Sequence, residues 1–210
     1  MIRPPAAGLG ADQAPRLAIF DMGGVMVDGH DVAPTIATAL GLDAATFRRL
    51  LREAGSDDLD TGRVSAAEFW ERFKAVTGLE LAGEPWGDHF HPRRRPGMYD
   101  LVERLKAAGV RVVAGTNTSG PHYRVHLDGG DYAVFDHVYA SHILGVAKPD
   151  PQFWLRILDA EGVGGEQAFF IDDLAENVGA AARLGLTTVT CGDPAAAIAG
   201  VEAVFGLAPG

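Results

Sequence analysis

Ala18-Ile19-Phe20-Asp21-Met22-Gly23-Gly24-Val25 is an apolar run that stops on a carboxylate and two glycines. Three later stretches are related to it. They are Val112-Val113-Ala114-Gly115-Thr116-Asn117, Val146-Ala147-Lys148-Pro149 and Phe169-Phe170-Ile171-Asp172-Asp173. Three of the four carry a polar group at or just past the end of an apolar run. The fourth sets a lysine in a turn before a proline. Apolar strands of this kind are buried on both faces of a parallel sheet, and such sheets present reactive residues where the strands end.

Working outward, strand and helix patterns alternate along most of the chain. Arg16 to Phe20 reads as a first strand. The region from His30 to His91 shows helical periodicity instead. It holds helices over Val32 to Leu40, over Ala44 to Ala54 with Asp43 as N-cap, and over Ala66 to Val76. Ser65 and Glu68 form a capping box for the third, and Gly78 closes it. Alternation resumes with a helix over Tyr99 to Ala108, stopped by Gly109, and strands over Val110 to Ala114 and His137 to Ala140. A helix over Pro151 to Ala160 has Asp150 as its expected N-cap. Then come a strand at Ala168 to Ile171, a helix at Asn177 to Leu184 and a strand at Thr187 to Thr190. A helix at Pro194 to Phe205 is the last. The pattern implies right-handed crossovers and a Rossmann-like α/β core. Three domain assignments follow: residues 1–15 as a flexible tail, 16–29 with 93–210 as the α/β core, and 30–92 as an inserted all-α cap.

The bulk properties exclude several functions. A net charge of −10 argues against a nucleic-acid or anionic-membrane surface. No apolar run reaches the roughly 18 residues of a membrane span, and the first 15 residues lack the apolar middle of a secretory signal. A cytoplasmic protein is expected, and the partner expected is a small molecule. The single cysteine, Cys191, rules out an intrachain disulfide and a cysteine-cluster metal site. It reads as a small core residue near a strand end. Arg93-Arg94-Arg95 is the only basic cluster and reads as a solvated hinge, with a substrate role as the alternative.

Asp21 is placed either to cap a turn or to act as a nucleophile on phosphorus, forming an aspartyl-phosphate. Asp172 and Asp173 either favour the following helix dipole or share a cation with Asp21. Three carboxylates sum to −3, which Lys148 and one divalent ion would balance. A hard cation with few carboxylates and room for water and phosphate oxygens points to Mg²⁺. Thr116 and Asn117 offer a hydroxyl and a backbone N–H where a transferring phosphoryl group would sit, and otherwise form a turn. Lys148 is one of three lysines in a chain with fifteen arginines. Pro149 holds its backbone extended.

In order and spacing, the four segments resemble the motifs of the haloacid dehalogenase (HAD) superfamily, from about Arg16 to Gly192. The resemblance implies a core of five parallel strands in the order 5-4-1-2-3, with the helical insert as a cap. It implies catalytic roles for Asp21 and Lys148, and phosphoryl binding by Thr116, Asn117 and Lys148. It also implies that Asp21, the carbonyl of Gly23 and Asp173 bind Mg²⁺, with Asp172 supporting from behind. One position departs. Gly23 stands where most members carry a second aspartate, the acid–base for the leaving group, worth roughly 10²–10⁴-fold. His30, His122 and His142 are the candidate substitutes by position, against the plainer reading of loop or core histidines.

The expected function is a Mg²⁺-dependent phosphatase acting on a small organophosphate, with sugar 1-phosphates among the candidates because that activity is known in the glycine-bearing branch. The main alternative is a weakly catalytic or non-catalytic phosphate-binding protein. A metal-independent dehalogenase would not need the Asp172-Asp173 pair. A phosphonate hydrolase would need a cap lysine, and Lys74, beside Phe73, reads as a surface residue.

Overall fold

The computed structural model describes residues 14–210, so the expected tail lies, except for its last two residues, outside the described residues. Strand β1 is Leu17–Phe20, and β2, Val27–Asp28, follows a tight turn. Five helices come next: α1 (Ala33–Ala39), α2 (Ala44–Glu53), α3 (Ser56–Asp60), α4 (Ala66–Thr77) and α5 (Pro85–Asp88). Strand β3 (Arg93–Arg94) leads into α6 (Pro96–Ala107), β4 (Arg111–Thr116), α7 (Gly120–Asp128), β5 (His137–Ala140) and α8 (Ser141–Leu144). The chain ends with α9 (Gln152–Glu161), β6 (Ala168–Asp172), α10 (Ala175–Arg183), β7 (Thr187–Thr190) and α11 (Pro194–Phe205).

The main sheet is parallel, in the order β5-β4-β1-β6-β7. Counting its five strands by chain order, this is the expected 5-4-1-2-3 read from the other edge. Strand alternation sorts the core into two layers. Ala18, Phe20, Val112, Ala114, Phe169 and Ile171 face Met98, Leu101 and Val102 of α6 and Val201 of α11. Leu17, Ile19, Val113 and Phe170 face Phe153, Trp154 and Ile157 of α9 and Ala181 of α10. Both faces are covered, which is why the strands read as unbroken apolar runs.

The helices between β2 and β3 have their own apolar cluster, built on Ile36, Phe47, Phe69, Phe73 and Phe90, with Val125 of α7 packed against it. Asp43 accepts from the Thr46 N–H, and the Ser65–Glu68 capping box is formed. Where α3 ends, a Cβ on Gly62 would fall 2.1 Å from the His142 carbonyl oxygen, so insert and core touch there backbone to backbone.

Several elements lie beyond the sequence pattern. Strands β2 and β3 pair antiparallel, Val27 with Arg94 and Asp28 with Arg93, where the chain leaves and re-enters the core. Two-residue strands carry no alternation to read. Helix α6 begins at Pro96 rather than Tyr99, because Pro suits the first turn of a helix. In α9 the N-cap is Pro151, while Asp150 accepts from the Gln152 N–H at 2.9 Å. In the arginine cluster Arg93 and Arg94 are exposed, as the solvated-hinge reading expects; Arg94 also pairs with Asp131 at 2.6 Å, and the half-buried Arg95 pairs with Asp28 at 2.6 Å and donates to the Gly24 carbonyl. Cys191 is buried just past β7, as expected.

Candidate active site

Each polar stop falls at the same edge of the sheet. Asp21 follows β1, and its N–H bonds to the Ile171 carbonyl at 3.0 Å, so the ladder carries it beside the end of β6. Thr116 ends β4, Asp172 ends β6, and Asp173 comes next. Lys148 enters from the loop between α8 and α9, with a cis peptide bond to Pro149.

Lys148 is almost fully buried, and its ammonium has three acceptors for its three donors. They are Asp21 Oδ1 at 2.8 Å, Asp172 Oδ2 at 2.7 Å and the Gly115 carbonyl at 3.0 Å. Burial alone would lower its pKa, but the two carboxylates outweigh that and hold it above the usual lysine value. The backbone of Lys148 is clamped as well. Asn117 Nδ2 donates to its carbonyl at 2.8 Å, and its N–H donates to Asn117 Oδ1 at 2.9 Å. The Asn117 side chain is thus spent on positioning Lys148. Its main-chain N–H and the Thr116 hydroxyl remain as the phosphoryl-facing candidates. Thr116 Oγ1 has only a long 3.5 Å contact to the Asn117 carbonyl.

The carboxylates of Asp21, Asp172 and Asp173 offer oxygens all within 4.8 Å of one another. They are not equivalent. Asp172 is fully buried and its two oxygens take bonds from Lys148, from the Leu174 N–H at 2.8 Å and from Asn177 Nδ2 at 3.0 and 3.1 Å. Asp21 meets Lys148 through Oδ1, and Asp173 makes no side-chain hydrogen bond among the described residues. Burial raises the pKa of Asp21 despite Lys148, and Asp172 adds to the rise. Burial and the Asp172 charge likewise raise Asp173. One ammonium leaves this trio two charges short of balance. Two under-used carboxylates at the mouth of an oxygen-lined site fit a divalent cation.

The glycines after Asp21 are needed for different reasons. Gly24 has φ +70°, and a Cβ there would fall 2.2 Å from Asp173 Oδ2. Gly23 has no such backbone demand; a Cβ there would meet the His30 ring at 2.9 Å. The imidazole therefore occupies the room that a side chain at position 23 would need. His30 lines a cavity of about 190 Å³ with Asp21, Gly23, Thr116, Lys148 and Asp173. His122 lines it too, its Nε2 3.1 Å from the Trp86 carbonyl, and burial lowers its pKa to about 4. His142 does not line it; its Nδ1 lies 2.9 Å from the Thr118 carbonyl. Asn177 and His126 belong to the site without having been singled out in the sequence. His126 is held by Asp131 at 2.7 Å, and neither it nor Asn177 stands in a motif that marks it.

With a parallel sheet and a buried lysine bridging strand-end carboxylates in place, residues 15–185 match the family described as haloacid dehalogenase-like hydrolase. The chain belongs to that family and is a hydrolase. Among its relatives, Acyl-CoA dehydrogenase family member 10 of Mus musculus is 26% identical over 91% of this chain, which spans only 19% of that protein. Sesquiterpene phosphatase astK of Aspergillus oryzae is 26% identical over 81% of this chain and 87% of its own length. In fold, the chain is similar to the HAD family enzyme bt-2542 of Bacteroides thetaiotaomicron, solved in complex with magnesium and inorganic phosphate. The TM-score is 0.70 at 21% identity, covering 85% of this chain and 96% of that one. Among the described residues no helix is long and apolar enough to cross a membrane.

Proposed function

We propose that this hydrolase is a Mg²⁺-dependent phosphatase of small organophosphates, with residues 30–92 acting as its cap. The observation that carries the reading is the buried Lys148 ammonium bonded to both Asp21 and Asp172, beside an under-used Asp173. Asp21, held by Lys148 through Oδ1, attacks phosphorus. The ester P–O bond breaks and the leaving oxygen takes a proton from solvent water, since Gly23 offers no acid; a second water then attacks the aspartyl-phosphate, gives its proton back to solvent, frees phosphate and regenerates Asp21. Lys148 and the Thr116 hydroxyl face the phosphoryl oxygens, where a fixed positive charge favours the charge that develops in transfer. Asp172 holds Lys148. Asp21, the Gly23 carbonyl and Asp173 would hold Mg²⁺, which supplies charge neutralisation at the phosphoryl oxygens when bound.

The test is release of p-nitrophenol from its phosphate ester, with and without Mg²⁺, by wild type and by Asp21→Asn. An amide cannot attack phosphorus, so Asp21→Asn is expected to lose at least 10³-fold in turnover while keeping its melting temperature. Activity within tenfold of wild type would show that Asp21 is not the nucleophile. Turnover that chelation leaves untouched would remove the metal from the reading.

A further inference from the structure

No step of the reaction uses His126, yet its ring lines the same cavity as Asp21, Thr116 and Lys148. It stands on α7, one turn past His122 on the same helix face. The ring is buried and fixed by packing, edge-on to Phe90 at 4.9 Å and tilted against Tyr132 at 5.2 Å. Nδ1 lies 2.7 Å from Asp131 Oδ2, and the other oxygen of Asp131 accepts from Arg94 Nε at 2.6 Å. A carboxylate bonded to a guanidinium has only acceptors to offer, so Nδ1 carries a proton and donates it. Burial holds the His126 pKa below the usual histidine value, with Asp131 opposing, and the ring is neutral near neutral pH. Nε2 is then the lone-pair nitrogen. It makes no hydrogen bond among the described residues, and it is the polar atom the ring has left to present to the cavity.

We propose that His126 is the general base of the second half-reaction, and that Asp131 orients it. The proposal rests on the phosphatase reading, which leaves the water that cleaves the aspartyl-phosphate without a protein base. The attacking water gives its proton to Nε2 as its oxygen bonds to phosphorus. The bond from phosphorus to the Asp21 oxygen breaks, and its electron pair returns to the Asp21 carboxylate. Phosphate leaves, and the imidazolium releases its proton to solvent before the next turnover. A base held through its other nitrogen by a carboxylate is an arrangement that activates oxygen nucleophiles. The cavity, of about 190 Å³, has room for a phosphoryl group and for a water, whose share of liquid volume is roughly 30 Å³. The other histidines of this cavity fit the role less well. His122 has a carbonyl rather than a carboxylate at Nε2, and its pKa of about 4 makes it a weak base. His30 is exposed and makes no side-chain hydrogen bond among the described residues, so nothing orients it. Because His126 starts each cycle neutral, it has no proton for the leaving oxygen, and the gap at Gly23 stands.

The test is rapid mixing of p-nitrophenyl phosphate and Mg²⁺ with wild type, His126→Gln and Asp131→Asn. In His126→Gln the first turnover should release one p-nitrophenol per enzyme at a rate within about threefold of wild type. The steady state should then fall by roughly 10²–10⁴-fold as phosphoenzyme accumulates. Asp131→Asn should show the same burst, because an amide that donates to Nδ1 leaves the proton on Nε2. A steady state within about threefold of wild type, or a first turnover slowed as much as the steady state, would overturn the assignment. If His126→Gln does not fold, Asp131→Asn is read in the same way. A nitrogen–proton correlation spectrum of wild type at about pH 7 adds a check that needs no turnover. The Nδ1–H tautomer of His126 is expected, and the Nε2–H tautomer or the imidazolium would overturn the proposal. If wild type releases no p-nitrophenol, or Asp21→Asn releases it as fast, the phosphatase reading fails and the base falls with it. Turnover that needs Asp21 but not His126 removes the base alone.

Discussion

His30 beside Gly23 changes what a repair of the glycine should do. An aspartate at position 23 would put its Cβ 2.9 Å from two atoms of the imidazole and 3.2 Å from the His30 Cβ, so the new side chain has to displace the old one. Gly23→Asp alone is therefore expected to gain less than tenfold on alkyl phosphates. Combined with His30→Ala it should gain more, up to about the 10²–10⁴-fold of general acid–base help. The check is kcat on aryl, anomeric and alkyl phosphates in both variants. A large gain in the single variant would show that the ring moves aside freely. Lys148 is the second residue with a sharp expectation. Removing it strands two buried carboxylates, so Lys148→Ala should cost about 3–5 kcal/mol of stability by denaturant titration and abolish turnover. Added salt should not restore the rate, because what is lost is a positioned charge and not ionic strength.

At the scale of elements, α3 carries a destabilising group. The Asp60 carboxyl titrates near 6 in the fold against the usual 3.8. Folding therefore favours its protonated form. Below about pH 3 the folded and unfolded chains are both protonated and Asp60 contributes nothing. As pH rises toward 6 the unfolded chain gives up its proton first, and stability falls by on the order of 2 kcal/mol, then levels off. Asp60→Asn should raise the melting temperature at about pH 8 and leave it unchanged at about pH 3; equal shifts at both values would show that the carboxyl is not raised. Elements also show what the chain reveals before folding. The strands β1, β4 and β6 are legible because each is an apolar run with a polar stop, and the Asp43 and Ser65 caps because they stand just before apolar periodicity. Asn177 is not legible, since an asparagine in the first turn of a helix looks the same whether it faces water or, as here, Asp172. Asn117 is legible as a site position but not as a clamp, because its partner is the backbone 31 residues on. The ion pairs of Arg94 and Arg95 are not legible because their partners, Asp131 and Asp28, come from distant segments.

Across the whole molecule, the site depends on long-range assembly, since β1 acquires its neighbours only from β4 and β6 far along the chain. The insert makes no such demand on the sheet. Its two ends meet in the β2–β3 ribbon, with Asp28 opposite Arg93. We propose on this ground that the 64 residues between them are separable from the core. A two-residue Asn-Gly turn suits an antiparallel pair closed at such a position. Replacing residues 29–92 by Asn-Gly should leave a folded α/β core that keeps the Lys148 bridge, measurable as a cooperative unfolding transition, while choice among substrates disappears. By the same geometry, lineages could trade one lobe for another without re-solving the sheet, so specificity would evolve at a single seam while the chemistry stayed put.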